Sequence, residues 1–236
     1  MLIRLMSGEF MKIKRKGFWI FVFLGPIGVV ALQMVNYGVR KDYLLQQSDD
    51  NWMYYIVNVN AFTSLALVLG IVILTSLMAS VEDETRAWKQ LLALPVTKKS
   101  VYISKFSVLA VLLVVSSTLL FVFTFAYGSV LELGTDIPVR ALLEYSYFPL
   151  LAALPVLALH LWITTVSKKQ GVAVSVGIIG TLLTYMAYIL PDWMIWKWPS
   201  LMNEANEPLM NVYLGLGVGI VIYLVGMLDF MRRDVK

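Results

Sequence analysis

The sequence predicts an all-α integral membrane protein: six transmembrane helices, both termini on the cytoplasmic side. Three observations predict it. Of 236 residues, 59% are hydrophobic and only 14% charged, against roughly 25% charged in a soluble domain. The apolar residues fall in blocks of about 20, the length that crosses about 30 Å of hydrocarbon at 1.5 Å per residue. With the N-terminus inside, 15 of the 19 lysines and arginines lie in inner segments, and only Arg40, Lys41, Arg140 and Lys197 lie outside. The absence of cysteine excludes disulfides and thiolate metal sites.

In chain order, residues 1–17 read as an interfacial amphipathic helix. Ile3, Met6, Phe10 and Ile13 fall at helical spacing, and Arg4, Lys12, Lys14, Arg15 and Lys16 supply a basic side that suits anionic headgroups. Residues 18–236 form a single six-span domain, with spans at about 18–35, 59–81, 106–130, 147–166, 171–190 and 209–231. Pro26 sits inside the first span and Pro149 and Pro155 inside the fourth. Prolines are tolerated there because neighbouring helices satisfy the freed backbone groups. Residues 36–58, 132–144 and 191–208 read as outer connections. Trp193, Trp196 and Trp198 gather in the last of them, at the expected level of the outer interface.

The stretch from Glu82 to Lys105 is the long polar-to-amphipathic interval between two unbroken apolar runs. Trp88, Leu91 and Leu92 stand at i, i+3 and i+4, so a helix puts them on one face, with Glu84, Arg86, Lys89 and Gln90 turned mostly elsewhere. Pro95 ends that helix, and Thr97 or Ser100 can cap the next. The expected object is a short helix, a break and a restart at the water face of a membrane.

Catalytic chemistry is not legible. No span carries a central Asp, Glu, Lys or Arg, the usual mark of an ion or proton path. The ionisable exception is His160, expected to hydrogen-bond to a neighbouring helix. Asp229 precedes Arg232 and Arg233 by three and four residues, the spacing of a local ion pair. Phosphate-cradling, zinc-hydrolase and nucleophile-elbow motifs are all missing. Gly215 and Gly219 form a G-x-x-x-G pair, with Gly226 further along the same face, and Gly177 lies in a small-residue stripe with Ala173 and Thr181. These stripes suit helix packing, within one chain or between chains.

The basic start, the six spans and the 82–105 pattern together resemble the permease subunits of type-2 ABC transporters. Glu82 and Glu84 stand for that family's acids, Leu91-Leu92 for its leucine pair, Pro95-Val96-Thr97-Lys98 for its turn and Lys105 for its later lysine. Arg86-Ala87 stands where many members have Gly-Thr. The Trp88-Lys89-x-Leu-Leu wording is closest in look to the subgroup that confers immunity to lantibiotics and bacitracin-like peptides. The resemblance implies a non-enzymatic transport subunit in a bacterial plasma membrane, working with a separate ATP-binding cassette subunit and a second permease chain, identical or related. ATP and magnesium would sit on the partner, and this chain would hold no cofactor or metal. Glu82, Glu84, Arg86, Trp88, Leu91, Leu92, Pro95 and Lys98 would then couple it to ATP hydrolysis. Export of small drugs or lipids, or a non-ABC transporter or sensor subunit, are the alternatives that the residues leave open.

Overall fold

The computed structural model describes residues 2–14, 16–85, 97–167 and 170–233. They form eight helices: α1 (Leu2–Ile13), α2 (Phe18–Leu45), α3 (Asn51–Thr85), α4 (Lys98–Val130), α5 (Val139–Ala152), α6 (Leu154–Val166), α7 (Gln170–Tyr185) and α8 (Pro208–Arg232). Among the described residues there is no strand. Five helical stretches are long and apolar enough to cross a membrane, α5 and α6 together making one of them, and α7 is a shorter apolar helix.

Helix α3 is the axis of the bundle. It packs against α2, α4, α5, α6 and α7, and Val68, Ile71 and Thr75 along it are fully buried. Thr75 is accommodated because its hydroxyl donates to Ile71 O, 2.7 Å away in its own helix. Thr97, rather than Ser100, caps α4: its hydroxyl accepts from Ser100 N at 3.2 Å. The α5–α6 stretch is interrupted at Ala153, where Pro155 opens a new first turn that needs no amide donor. Three glycines of α8 let it close on this stretch and on α4. A Cβ on Gly215 would stand 2.5 Å from Ala152 Cα, and one on Gly219 2.9 Å from Leu154 Cβ. One on Gly226 would stand 2.6 Å from Tyr102 Oη.

The largest departure from the sequence reading is at residues 186–207. The expected fifth span to residue 190 stops as an α-helix at Tyr185, and a 3-10 turn, Ala187–Ile189, follows. The chain then folds back. A second 3-10 turn, Trp198–Ser200, packs on α3, α5 and α8. Trp198 is buried with Ala152 and Leu201, and the Trp196 ring fills the space that a Cβ of Gly180 would need. Trp193 alone of the three indoles is strongly exposed, at 73%. Lys197, expected on the outer surface, is buried too. Its ammonium is 2.7 Å from Asp192 Oδ1 and donates to Leu190 O at 2.6 Å. The physical reason is polar satisfaction. Trp198 Nε1 donates to Asp192 O, Asn60 Nδ2 to Ser200 O and Asn211 Nδ2 to Met202 O, so a non-helical backbone can sit inside the bundle.

Asp192 pins this segment. The Glu204 backbone N–H and the Lys197 ammonium hold its carboxyl below the ordinary carboxylate range. A depressed folded-state pKa contributes stability above the unfolded value and loses it as pH falls through the folded one. A single cysteine at Ser200 should therefore gain reactivity toward a thiol reagent, relative to a free thiol at the same pH, as the medium is acidified below the ordinary carboxylate range. In an Asp192→Asn background the acid-dependent gain should vanish. An equal acid response in both backgrounds would show that Asp192 is not the pin.

Candidate functional site

At the end of the bundle where α3 ends and α4 begins, Lys98 meets the end of α8 and Lys105 meets Glu9 of α1. Glu82 and Glu84 lie in the last turn of α3. Arg86, Trp88, Leu91, Leu92 and Pro95 lie outside the described residues, and so does the expected short helix. Lys98, the last of the expected set, donates to Arg233 O at 2.6 Å and also reaches Met231 O. A cation there satisfies carbonyls left open at the end of α8 and complements its dipole. The exit of the segment is thus tied to the C-terminal end of the last helix.

A second tie is internal. Lys105, about two helical turns beyond Lys98, is 1% exposed, and its ammonium lies 3.9 Å from Glu9 Oε2. Glu9 is itself 5% exposed and accepts from Lys12 Nζ at 2.8 Å through its other oxygen. Helix α1 accordingly packs on α4, with Ile13 only 2% exposed and Met6 and Phe10 against the core. The apolar stripe assigned to the lipid interface is covered, over much of its length, by the chain itself. Gly17 makes this return possible: at φ 77° it turns α1 sharply into α2, a conformation that an L side chain resists.

A third tie joins α6 to α8. Asp229 pairs with Arg233 at 2.9 Å, as the spacing predicts, and the same oxygen accepts from Trp162 Nε1 at 2.9 Å. The sequence reading missed Glu9 and Trp162. Glu9 carried a usable signal, since it is the lone acid among five cations in the first 17 residues. Trp162 carried none, because an indole near a span end is ordinary.

His160 corrects another expectation. It is 1% exposed, and neither ring nitrogen has a hydrogen-bond partner among the described residues. Its ring and Val72 of α3 occupy the space beside Gly177, which packs α7 against both. Among the described residues, no group of three or more His, Cys, Asp or Glu could hold a metal. What the end of the bundle offers is mechanical: a segment whose exit into α4 is tied to α8 through Lys98 and, further along, to α1 through Lys105.

Comparison with curated proteins and with solved structures returns no match. The family model described as ABC-2 family transporter protein matches residues 5–184, well over half of the chain, from α1 through α7. The chain belongs to the ABC-2 transporter family and is a membrane permease subunit of an ABC transporter.

Proposed function

We propose that this chain is one half of the membrane part of an ATP-driven exporter. Six spans place both termini in the cytoplasm, α7 with its 3-10 extension serving as the fifth. The stretch from Glu82 to Lys98 would couple the chain to a separate ATP-hydrolysing subunit, with Trp88, Leu91, Leu92 and Pro95 seated in a groove on it. Two permease chains face each other, and closure of the ATPases below shifts both between states by differential contact energy. The observation that carries the reading is the anchoring of the segment's exit to α8 through Lys98 and to α1 through Lys105. A segment held this way can pass a push into the bundle.

The proposed cargo is a peptide antibiotic of lantibiotic or bacitracin type, taken from the membrane. Exposed Asp42, Asp49, Asp50, Glu204 and Glu207, with Trp193, suit a cationic amphipathic peptide at the outer face. Asp192 and Trp198 do not contribute, being engaged inside the chain. The test is Leu91→Asp, which would bury an unpaired charge in the ATPase groove. The permease should still insert, while copurification of the ATP-binding cassette subunit and resistance to such peptides are both lost. A complex that survives the substitution would remove the coupling role from this segment.

A further inference from the structure

Two hollows meet beside α2. One is an open apolar groove of about 490 Å³ between α2 and α3, lined by residues such as Leu24, Leu32, Phe62 and Leu69. The other is a smaller cavity of about 40 Å³ among α2, α3, α4 and α5. Phe21, Gly25, Val29, Ala66 and Gly70 line both, so the cavity opens from the wall of the groove. The groove is apolar throughout, but the cavity is lined by Thr63, Ser116, Ser117 and Ser146.

Those hydroxyls are placed as a binding niche. Ser117 and Ser146 are 5% and 4% exposed, and neither hydroxyl hydrogen-bonds to a described residue. Thr63 spends its proton on Val59 O at 3.0 Å and keeps its lone pairs. Pro26, which also lines the cavity, has no N–H, so the Val22 carbonyl beside it lacks its usual helical donor. The niche therefore offers donors and acceptors together and no charge. The groove is shaped for an incoming chain too. A Cβ on Gly28 or Gly70 would meet nothing within 4 Å, so packing inside this chain does not call for either glycine.

We propose that this groove and niche form a binding site for an uncharged amphiphile, whose apolar chain lies along α2 and α3 and whose hydroxyl or amide group bonds to Ser117 and Ser146. The site deepens the export reading, which it rests on for its purpose, by assigning a chemical class to what is taken from the membrane. An ionised head group is excluded, because it would enter a low-dielectric site lined by no charged side chain. Of a cationic amphipathic peptide, only an uncharged segment of apolar side chains and backbone amides would enter the groove and niche.

The experiment uses the purified permease in phosphatidylcholine nanodiscs and a diazirine-bearing long-chain alcohol. Alkyl carboxylate and alkyl ammonium probes of the same length serve as controls. The alcohol should label α2 and α3 saturably, and the charged probes should label at least tenfold less efficiently. Ser117→Ala with Ser146→Ala should weaken saturation by roughly tenfold or more, as two lost hydrogen bonds imply. Gly70→Leu should abolish labelling by filling the groove while leaving the hydroxyls in place, and Gly28→Leu provides the same test from α2. Thermal melting and elution profiles show that each variant is folded. Labelling that is equal for all three probes, or that the serine pair leaves unchanged, would overturn the proposal. No arm requires the ATPase subunit, so failure of the Leu91→Asp test leaves this result standing, and the reverse holds as well.

Discussion

Gly215→Val should be the most damaging single substitution in α8, lowering the melting temperature of the purified permease by about 6–12 °C. The side chain would be driven into backbone, since the first added carbon already stands 2.5 Å from Ala152 Cα and 2.6 Å from Leu151 O. Backbone cannot rotate away as a side chain does, which puts the cost at the upper end of overpacking, about 3 kcal/mol. For a chain of this size each kcal/mol moves the midpoint by roughly 2–4 °C. Gly217→Val is the matched control. It adds the same atoms to the same helix two residues on, where a Cβ meets nothing within 4 Å. Its melting temperature should stay within about 2 °C of the parent, since substitutions away from packing contacts are usually within about 0.5 kcal/mol. Equal losses at the two positions would show that the close approach of α8 to Ala152 does not set the effect.

The second large effect is expected at Glu9. Replacing it by leucine removes the carboxylate 3.9 Å from the buried Lys105 ammonium, and with it one of the contacts that offset that charge. Breaking a buried pair from one side costs on the order of 3–5 kcal/mol, whereas replacing both partners by apolar groups is often close to neutral. Glu9→Leu and Lys105→Met should each destabilise strongly, and the double variant should recover most of the loss. Lys12→Ala is the internal comparison. Its pair with Glu9 is solvated on the lysine side, so about 1 kcal/mol or less is expected. Strict additivity of Glu9→Leu and Lys105→Met in thermal unfolding would show that the two charges do not interact.

The five long apolar stretches were legible because one physical variable, the length of an apolar run, decides them. The cap at Thr97 was narrowed to two candidates by the proline two residues before it, and the structure selects between them. Residues 186–207 were not legible for the same reason that the spans were. A reading based on apolar length assigns every mixed interval to water, yet Lys197, Trp198 and Asn211 find their partners inside the bundle. That pairing is tertiary, and no local spacing announces it. Glu9 and Lys105 are a similar case, 96 positions apart with nothing in either neighbourhood to join them. The hydroxyls of Ser117 and Ser146 look like ordinary small residues in a span, and they become a niche only once α2, α4 and α5 are assembled.

Helix α3 has a mechanical consequence of its own. At 35 residues it is a rod about 52 Å long, against about 30 Å of hydrocarbon. Among its most buried residues, Val68 and Ile71 lie near mid-length on the face that packs into the bundle, opposite the open groove. That level makes a fulcrum. A tilt of about 10° about it would sweep each end sideways by roughly 4–5 Å while barely disturbing the centre. One arm ends at Thr85, where residues 86–96 begin, and the other at Asn51, at the opposite end of the helix. A push delivered at one water face would then reappear at the other with its direction reversed, by leverage alone.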